Sequence, residues 1–398
     1  MILENFDETN YFEDKDEIKD DEVLEIPKEI RRLNIETHDY PIEVLVKKIQ
    51  DKDIILRPHY QRDFIWDRTK CSLLIESILL NIPLPPVYLA EEEDGSLSVI
   101  DGLQRLHTFL DYFENKFSLT KMEGEGLVEL NKLTYSGLQK DFPKAKRILN
   151  KGNIRTITIS KDSDPDIKYD IFERLNSGSV KLNDQEIRNC IFHGKLNDAI
   201  MGTYNLEEQI YNNNGLRHNK VIQQSMNLTE AHPRYLDAEV VIRILAMMKY
   251  HNNLQTKYKN SMKLLINDYM KEHKNSSDHD IDLIKTEFEN TMNKVFSVFE
   301  DKTFKRYSDT DVEKTLNRSI MDCIVVTFKD RKIEDLITKK FDIVKLMDEM
   351  LNDKNNKYIG RITSSSFRDL VTKWTSSKNV LKDRLELWDL NFNSLMDS

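Results

Sequence analysis

From Ser98 to Phe109 the sequence reads SVIDGLQRLHTF, and the period of its apolar residues changes midway. A short apolar run ends at Asp101-Gly102. After it, Leu103, Leu106, Phe109, Leu110 and Phe113 recur at helical spacing. The pattern predicts a strand, a tight glycine turn and a helix. Upstream, IEVLVKKI at 42–49 predicts a short helix, 53–56 a brief strand, and the apolar run 71–80 another helix. Ile82-Pro83-Leu84-Pro85-Pro86 ends that helix, because proline has no N–H with which to continue it. Val87–Ala90 and Leu97–Ile100 flank EEEDGS and predict a hairpin with an exposed acidic turn. Its second strand delivers the Asp101-Gly102 corner. Residues 116–152 carry little periodic signal. NIRTITIS at 153–160 alternates like a strand, and 162–166 reads as a polar turn.

Further on, Phe172 and Leu175 predict a core-facing helix that Asn176-Ser177-Gly178 ends. Asn183 followed by Glu186 has the spacing of a capping box opening the next helix. From about Ala199 helical patterns dominate, at 236–250, 261–270, 281–299, 317–328 and 333–350. His273 and His279, in and beside the loop at 274–280, lie too far apart to carry a metal reading. The expected fold class is α+β. A small mixed domain spans 35–195, a mostly α-helical domain spans 196–398, and an acidic arm at 1–34 precedes both.

Charge changes this picture at both ends. Residues 1–30 hold twelve acidic residues and three lysines, a net of −9 out of −10 for all 398 residues. The arm reads as a solvated leader, a partner-binding tail or an intramolecular mimic of DNA. The remainder is close to neutral, so the acidic total does not exclude a nucleic-acid partner. Residues 354–384 carry eight Lys or Arg and two Asp, a net of +6. That stretch either contacts a DNA backbone through sequence-independent attraction or pairs with the arm. It contains no zinc-finger spacing, and the chain shows no heptad array. Cys71, Cys190 and Cys323 are few and far apart, which argues for a reducing cytoplasm and against a disulfide scaffold. No run of 18 apolar residues predicts a membrane span, and the acidic start lacks the order of a signal peptide.

Two stretches offer chemistry. At the corner, Gly102 can take a positive φ at little cost. The following helical turn has free N–H groups, and Arg105 adds a planar cationic fork. This suits a phosphate; it also suits an ordinary β–α turn with an Arg–Asp surface pair. In RPHYQRDFIWDRTK at 57–70, Arg57, Arg62 and Arg68 alternate with Tyr60, Phe64 and Trp66. That segment either lines a nucleotide pocket or is a surface loop anchored by Trp66. Glu186, Arg188 and Asn189 either face a site or serve as cap and ion pair.

YQRDFIW at 60–66, DGLQRL at 101–106 and FERLNSGSVKLNDQEIRN at 172–189 occur in that order. Together they resemble the N-terminal domain of GmrSD-type restriction endonucleases, a family similar to the ParB/sulfiredoxin fold. The family's Asp-Gly-Gln-Gln-Arg signature appears as Asp101-Gly102-Leu103-Gln104-Arg105, with Leu103 in place of the first glutamine. Its Phe-x-Arg-Leu-Asn stretch corresponds to Phe172, Arg174, Leu175 and Asn176. The resemblance extends into the helical half, through 261–270 and 317–322.

The resemblance implies a ParB/sulfiredoxin-like nucleotide-handling domain whose cofactors are a nucleoside triphosphate and Mg²⁺. Tyr60, Gln61, Arg62, Gly102, Arg105, Arg174, Asn176 and Arg188 would bind the nucleotide. Asp101 would hold the metal or orient an arginine. Asp101, Gln104, Arg105 and Glu186 would act in hydrolysis, with Gln104 and Glu186 positioning water. It also implies a role in restriction or anti-phage defence. Relatives often add a His-Asn-His nuclease, and no such histidine cluster follows residue 195. Either a separately encoded partner supplies the nuclease, or this protein only senses DNA or nucleotide. The alternative is a non-catalytic, nucleotide-responsive protein-interaction module. Leu103 alters specificity or hydrolysis if the signature glutamine touches a base or water, and is harmless if the position packs.

Overall fold

A computed structural model describes residues 11–13, 33–56, 66–92, 94–124, 126–163, 168–169, 171, 174, 183–205, 210–308 and 311–398. The chain divides into two units: residues 28–191, and residues 1–27 together with 192–398.

The first unit is mixed α+β. In order it contains β1 (Ile35–Pro41), α1 (Ile42–Gln50), β2 (Ile54–Ile55), α2 (Arg68–Leu79), β3 (Val87–Glu91), β4 (Leu97–Asp101), α3 (Leu103–Phe113), α4 (Tyr135–Asp141), α5 (Pro143–Lys151), β5 (Asn153–Ile159) and α6 (Asp184–Ile191). The sheet order is β1-β5-β3-β4-β2. β1 runs antiparallel to β5, from Ile35 opposite Ile159 to Pro41 opposite Asn153. β3 pairs parallel to β5 and antiparallel to β4, while β2 pairs parallel to β4. The hairpin expected around EEEDGS is thus β3–β4, with an irregular register at Tyr88/Leu89. The core gathers Leu45 and Val46 of α1, Ile75 of α2, Leu89 and Val99 of the hairpin, and Leu106, Phe109 and Tyr112 of α3. Helical spacing puts these α3 residues on one face, so the helix packs and its start is fixed.

Three elements of this unit lie where the sequence pattern predicted none. β1 is an edge strand with mostly exposed side chains, so it lacks an apolar alternation. α4 and α5 fill the region of weak signal; Thr134 caps the first, and Pro143 opens the second at a position that needs no N–H.

The second unit is mostly helical. It holds α7 (Lys195–Met201), the two-stranded β6–β7 (Tyr204–Asn205 and Ile210–Tyr211), α8 (Lys220–Ser225), α9 (Leu236–Tyr250), α10 (Leu254–Lys257), α11 (Met262–His273), α12 (Asp278–Phe299), α13 (Arg318–Phe328), α14 (Ile333–Thr338), α15 (Lys340–Leu351), α16 (Phe367–Leu370) and α17 (Lys378–Met396). α9 and α13 are buried almost all round and form the centre. A buried ionic cluster joins them to α17. Asp322 Oδ1 accepts from Arg243 Nε at 2.9 Å, and Oδ2 accepts from Arg243 Nη2 at 2.9 Å and Arg384 Nη2 at 2.7 Å. Arg384 Nη1 also donates to the Thr375 carbonyl at 2.6 Å. The arm contributes to this unit: Phe12 is only 3% exposed and forms a parallel bridge with Leu316. Tyr11–Glu13 are therefore docked, and the solvated-leader reading does not hold for them. Among the described residues no helix is long and apolar enough to cross a membrane.

Candidate functional site

The corner at the end of β4 is built as the change of period predicts. β4 ends at Asp101, and Gly102 takes φ +100° and ψ 9° as the residue before α3. A Cβ there would lie 2.8 Å from Val87 Cγ2, so steric crowding adds to the backbone preference for glycine. The Leu106 N–H bonds the Gly102 carbonyl at 3.0 Å, which starts the helical ladder. The opening amides of α3 have no partner within the helix.

Arg105 turns back over this corner. Its Nη2 donates to Asp101 Oδ2 at 2.9 Å and to the Pro86 carbonyl at 3.1 Å, and its Nη1 donates to the Pro85 carbonyl. Burial lowers the pKa of the guanidinium, and the Asp101 carboxylate opposes that shift. Arginine stays charged under such a shift. The proline-rich segment has few N–H groups of its own, so its carbonyls are ready acceptors for a cationic fork. This tie to Pro85 and Pro86 was not foreseen from the sequence. Three prolines just ahead of a hairpin whose second strand ends four residues before an arginine were the available signal.

Gln104 links the corner to the aromatic segment: its Oε1 accepts from the Trp66 N–H at 3.4 Å. Trp66 packs on the core of the first unit, and Asp67 caps α2 by accepting from Lys70 N at 2.8 Å. Leu103 is 3% exposed and belongs to that core. Tyr60, Gln61, Arg62 and Asn176 lie outside the described residues. Arg174 is helical and exposed.

Glu186 and Arg188 sit on α6. The Asn183 N–H donates to Glu186 Oε2 at 2.6 Å, and the Glu186 N–H donates to Asn183 Oδ1 at 2.8 Å, a reciprocal capping box. Arg188 is buried; its Nη1 donates to Gln185 Oε1 at 3.3 Å, and Asp184 lies 3.8 Å from its Nη2. Gln185 Nε2 in turn donates to Asn189 Oδ1 at 2.8 Å. Asp101, Gly102, Gln104 and Arg105 are thus brought together, with Trp66 attached. The contacts described for Glu186 and Arg188 are with their neighbours at the start of α6. Among the described residues no three His, Cys, Asp or Glu gather as a metal site. Asp101, with its side chain half exposed, fits a Mg²⁺ ion only as a single carboxylate beside phosphate oxygens.

The basic stretch 354–384 is less available than its charge suggests. Arg384 is fully buried on Asp322. Lys373 lies 2.9 Å from Asp369, and Lys382 lies 3.6 Å from Glu386. Arg361, Arg368 and Trp374 are exposed. Trp374 takes φ +54° and borders a polar cleft of about 440 Å³ together with Lys373 and Ser377.

Residues 42–193 match the family model described as the GmrSD restriction endonuclease, N-terminal domain. No curated protein matches the chain, and no solved structure does. The match falls almost wholly within the first unit and covers every element of the corner, so a GmrSD-type restriction endonuclease N-terminal domain is present over residues 42–193.

Proposed function

We propose that this chain is a nucleoside-triphosphate-binding and hydrolysing, DNA-associated component of a restriction or anti-phage defence system. Its first unit would carry a ParB/sulfiredoxin-like fold, and a separately encoded subunit would supply the nuclease. The observation that carries the reading is the Asp101–Arg105 corner, with its left-handed glycine at the start of α3 and its bound arginine, inside the matched domain. The α3 amides and the Gly102 turn would hold phosphate oxygens. Asp101 would ligate Mg²⁺. Gln104, held against Trp66, would orient water or a base edge, and Tyr60, Gln61, Arg62, Arg174 and Asn176 would complete the pocket. When bound, Mg²⁺ would neutralise charge on the transferring phosphoryl group. The reducing setting of this activity is the cytoplasm, in keeping with the buried free thiols of Cys71 and Cys323. DNA would be met by the exposed part of 354–384.

A specific observation favours the second reading, a non-catalytic nucleotide-responsive module. The groups nominated for chemistry are engaged structurally, Arg105 with two proline carbonyls and Glu186 with its helix cap. Phosphate release from all four ribonucleoside triphosphates, with and without Mg²⁺ and DNA, separates the two. Turnover abolished by Gln104→Ala supports the enzyme; saturable binding without turnover under every condition supports the switch.

A further inference from the structure

The arm's docking site in the second unit has the design of a peptide-recognition groove. Leu316 N donates to the Tyr11 carbonyl at 3.0 Å, and Glu13 N donates to the Leu316 carbonyl at 3.0 Å. These two bonds add a short extended segment alongside the chain at Leu316, as in strand-addition recognition. Side chains then read the segment's chemistry. The Arg318 guanidinium lies 4.4 Å from the centre of the buried Phe12 ring. Glu13 Oε1 lies 2.6 Å from Arg306 Nε, and its Oε2 accepts from Asn317 Nδ2 at 3.4 Å. The Tyr11 ring meets the His232 imidazole edge-on at 4.7 Å.

The walls of this groove are held by bonds that do not involve the arm. Arg306 Nη2 bonds Glu313 at 2.9 Å. Asn317 caps α13 by accepting from Ile320 N at 2.8 Å, and donates to the Val371 carbonyl at 2.9 Å. The His232 N–H bonds Asp237 at 2.8 Å. These bonds hold the walls of the groove independently of the arm. Among the described residues the occupant is Tyr11–Glu13, with the Phe12 ring buried and two main-chain bonds to Leu316. Local opening of such an arm does not require the unit to unfold. The arm around it is strongly acidic, and Arg306 and Arg318 match that charge.

We infer that this groove is a docking site for a partner protein's extended acidic segment bearing an aromatic residue followed by a carboxylate, and that Tyr11–Glu13 occupy it in the absence of that partner. The inference does not rest on the nucleotide-binding reading.

The test uses a fluorescein-labelled synthetic peptide of residues 5–20 and the full-length chain. Saturable binding is expected to Phe12→Ala full-length protein, roughly tenfold or more tighter than to wild type, whose own arm competes. Unlabelled wild-type peptide should displace the probe; a peptide with Ala for Phe12 and Gln for Glu13 should not. No binding to a Phe12→Ala chain of unchanged circular dichroism, or equal competition by both peptides, would overturn the inference. Hydrogen exchange on the wild-type chain keeps it testable if that variant does not fold. The Glu13 and Leu316 amides should exchange at least about tenfold faster than the central amides of α13. Exchange only through global unfolding would make the arm an integral part of the fold and contradict the proposal.

Discussion

Gly102 stands at φ +100° with Val87 Cγ2 only 2.8 Å from where a Cβ would lie, so any side chain there meets both backbone strain and a clash. Gly102→Ala should destabilise the first unit by about 1–3 kcal/mol, read by urea denaturation. Leu103 answers the question posed by the altered signature: it packs. Leu103→Gln, which restores the signature residue, should cost about 1–3 kcal/mol by placing an amide in the core. Unchanged stability would mean the position can reach solvent or a polar partner. His232 gives a pH signature. Burial pushes its pKa down from 6.5 to about 4, with Arg217 and Arg234 adding to the fall and Asp237 opposing it. Between these values the unfolded state binds the proton and the folded state does not. Stability should therefore be flat above pH 6.5 and decline on acidification towards pH 4, by roughly 2–3 kcal/mol from this group. His232→Gln should lessen that slope; an unchanged slope would assign the effect to other groups.

At the scale of elements, helices α9, α13 and α17 are joined by one carboxylate serving two buried arginines. Asp322→Asn should destabilise the second unit by about 3–5 kcal/mol, since it leaves buried cations without a counter-charge. Thermal unfolding of the full chain measures this. The same cluster explains what the sequence concealed. The α9 helix was legible over 236–250 because dense apolar residues flank Arg243 on both sides. The α17 helix was not, although Val380, Leu381, Trp388 and Phe392 recur at helical spacing. Arg384 interrupts the stripe, and only its pairing with Asp322 lets that position be buried. β1 was hidden for the opposite reason: as an edge strand it is held by backbone pairing to β5, which leaves no apolar pattern. The stretch expected as one helix at 333–350 is two, because Lys339 separates α14 from α15. At the site, the β4–α3 corner and the Asn183–Glu186 cap were legible because turn and cap chemistry are local. The bonds from Arg105 to Pro85 and Pro86 were not, since they depend on how the hairpin folds back.

At the scale of the molecule, the matched domain and the corner coincide in the first unit, while the arm groove and the exposed basic residues belong to the second. Nucleotide binding is therefore expected in the first unit, with the Asp101–Arg105 corner at its centre. The most direct measurement is calorimetric titration of the full chain with ATP, GTP, CTP and UTP, with and without Mg²⁺, repeated on Asp101→Asn and Gln104→Ala. Both side chains are accessible enough to change without emptying the core. Saturable binding of at least one nucleotide is expected, weakened about tenfold or more in each variant while the protein remains folded. No saturable binding of any of the four by folded protein, or binding that neither substitution alters, would contradict that expectation.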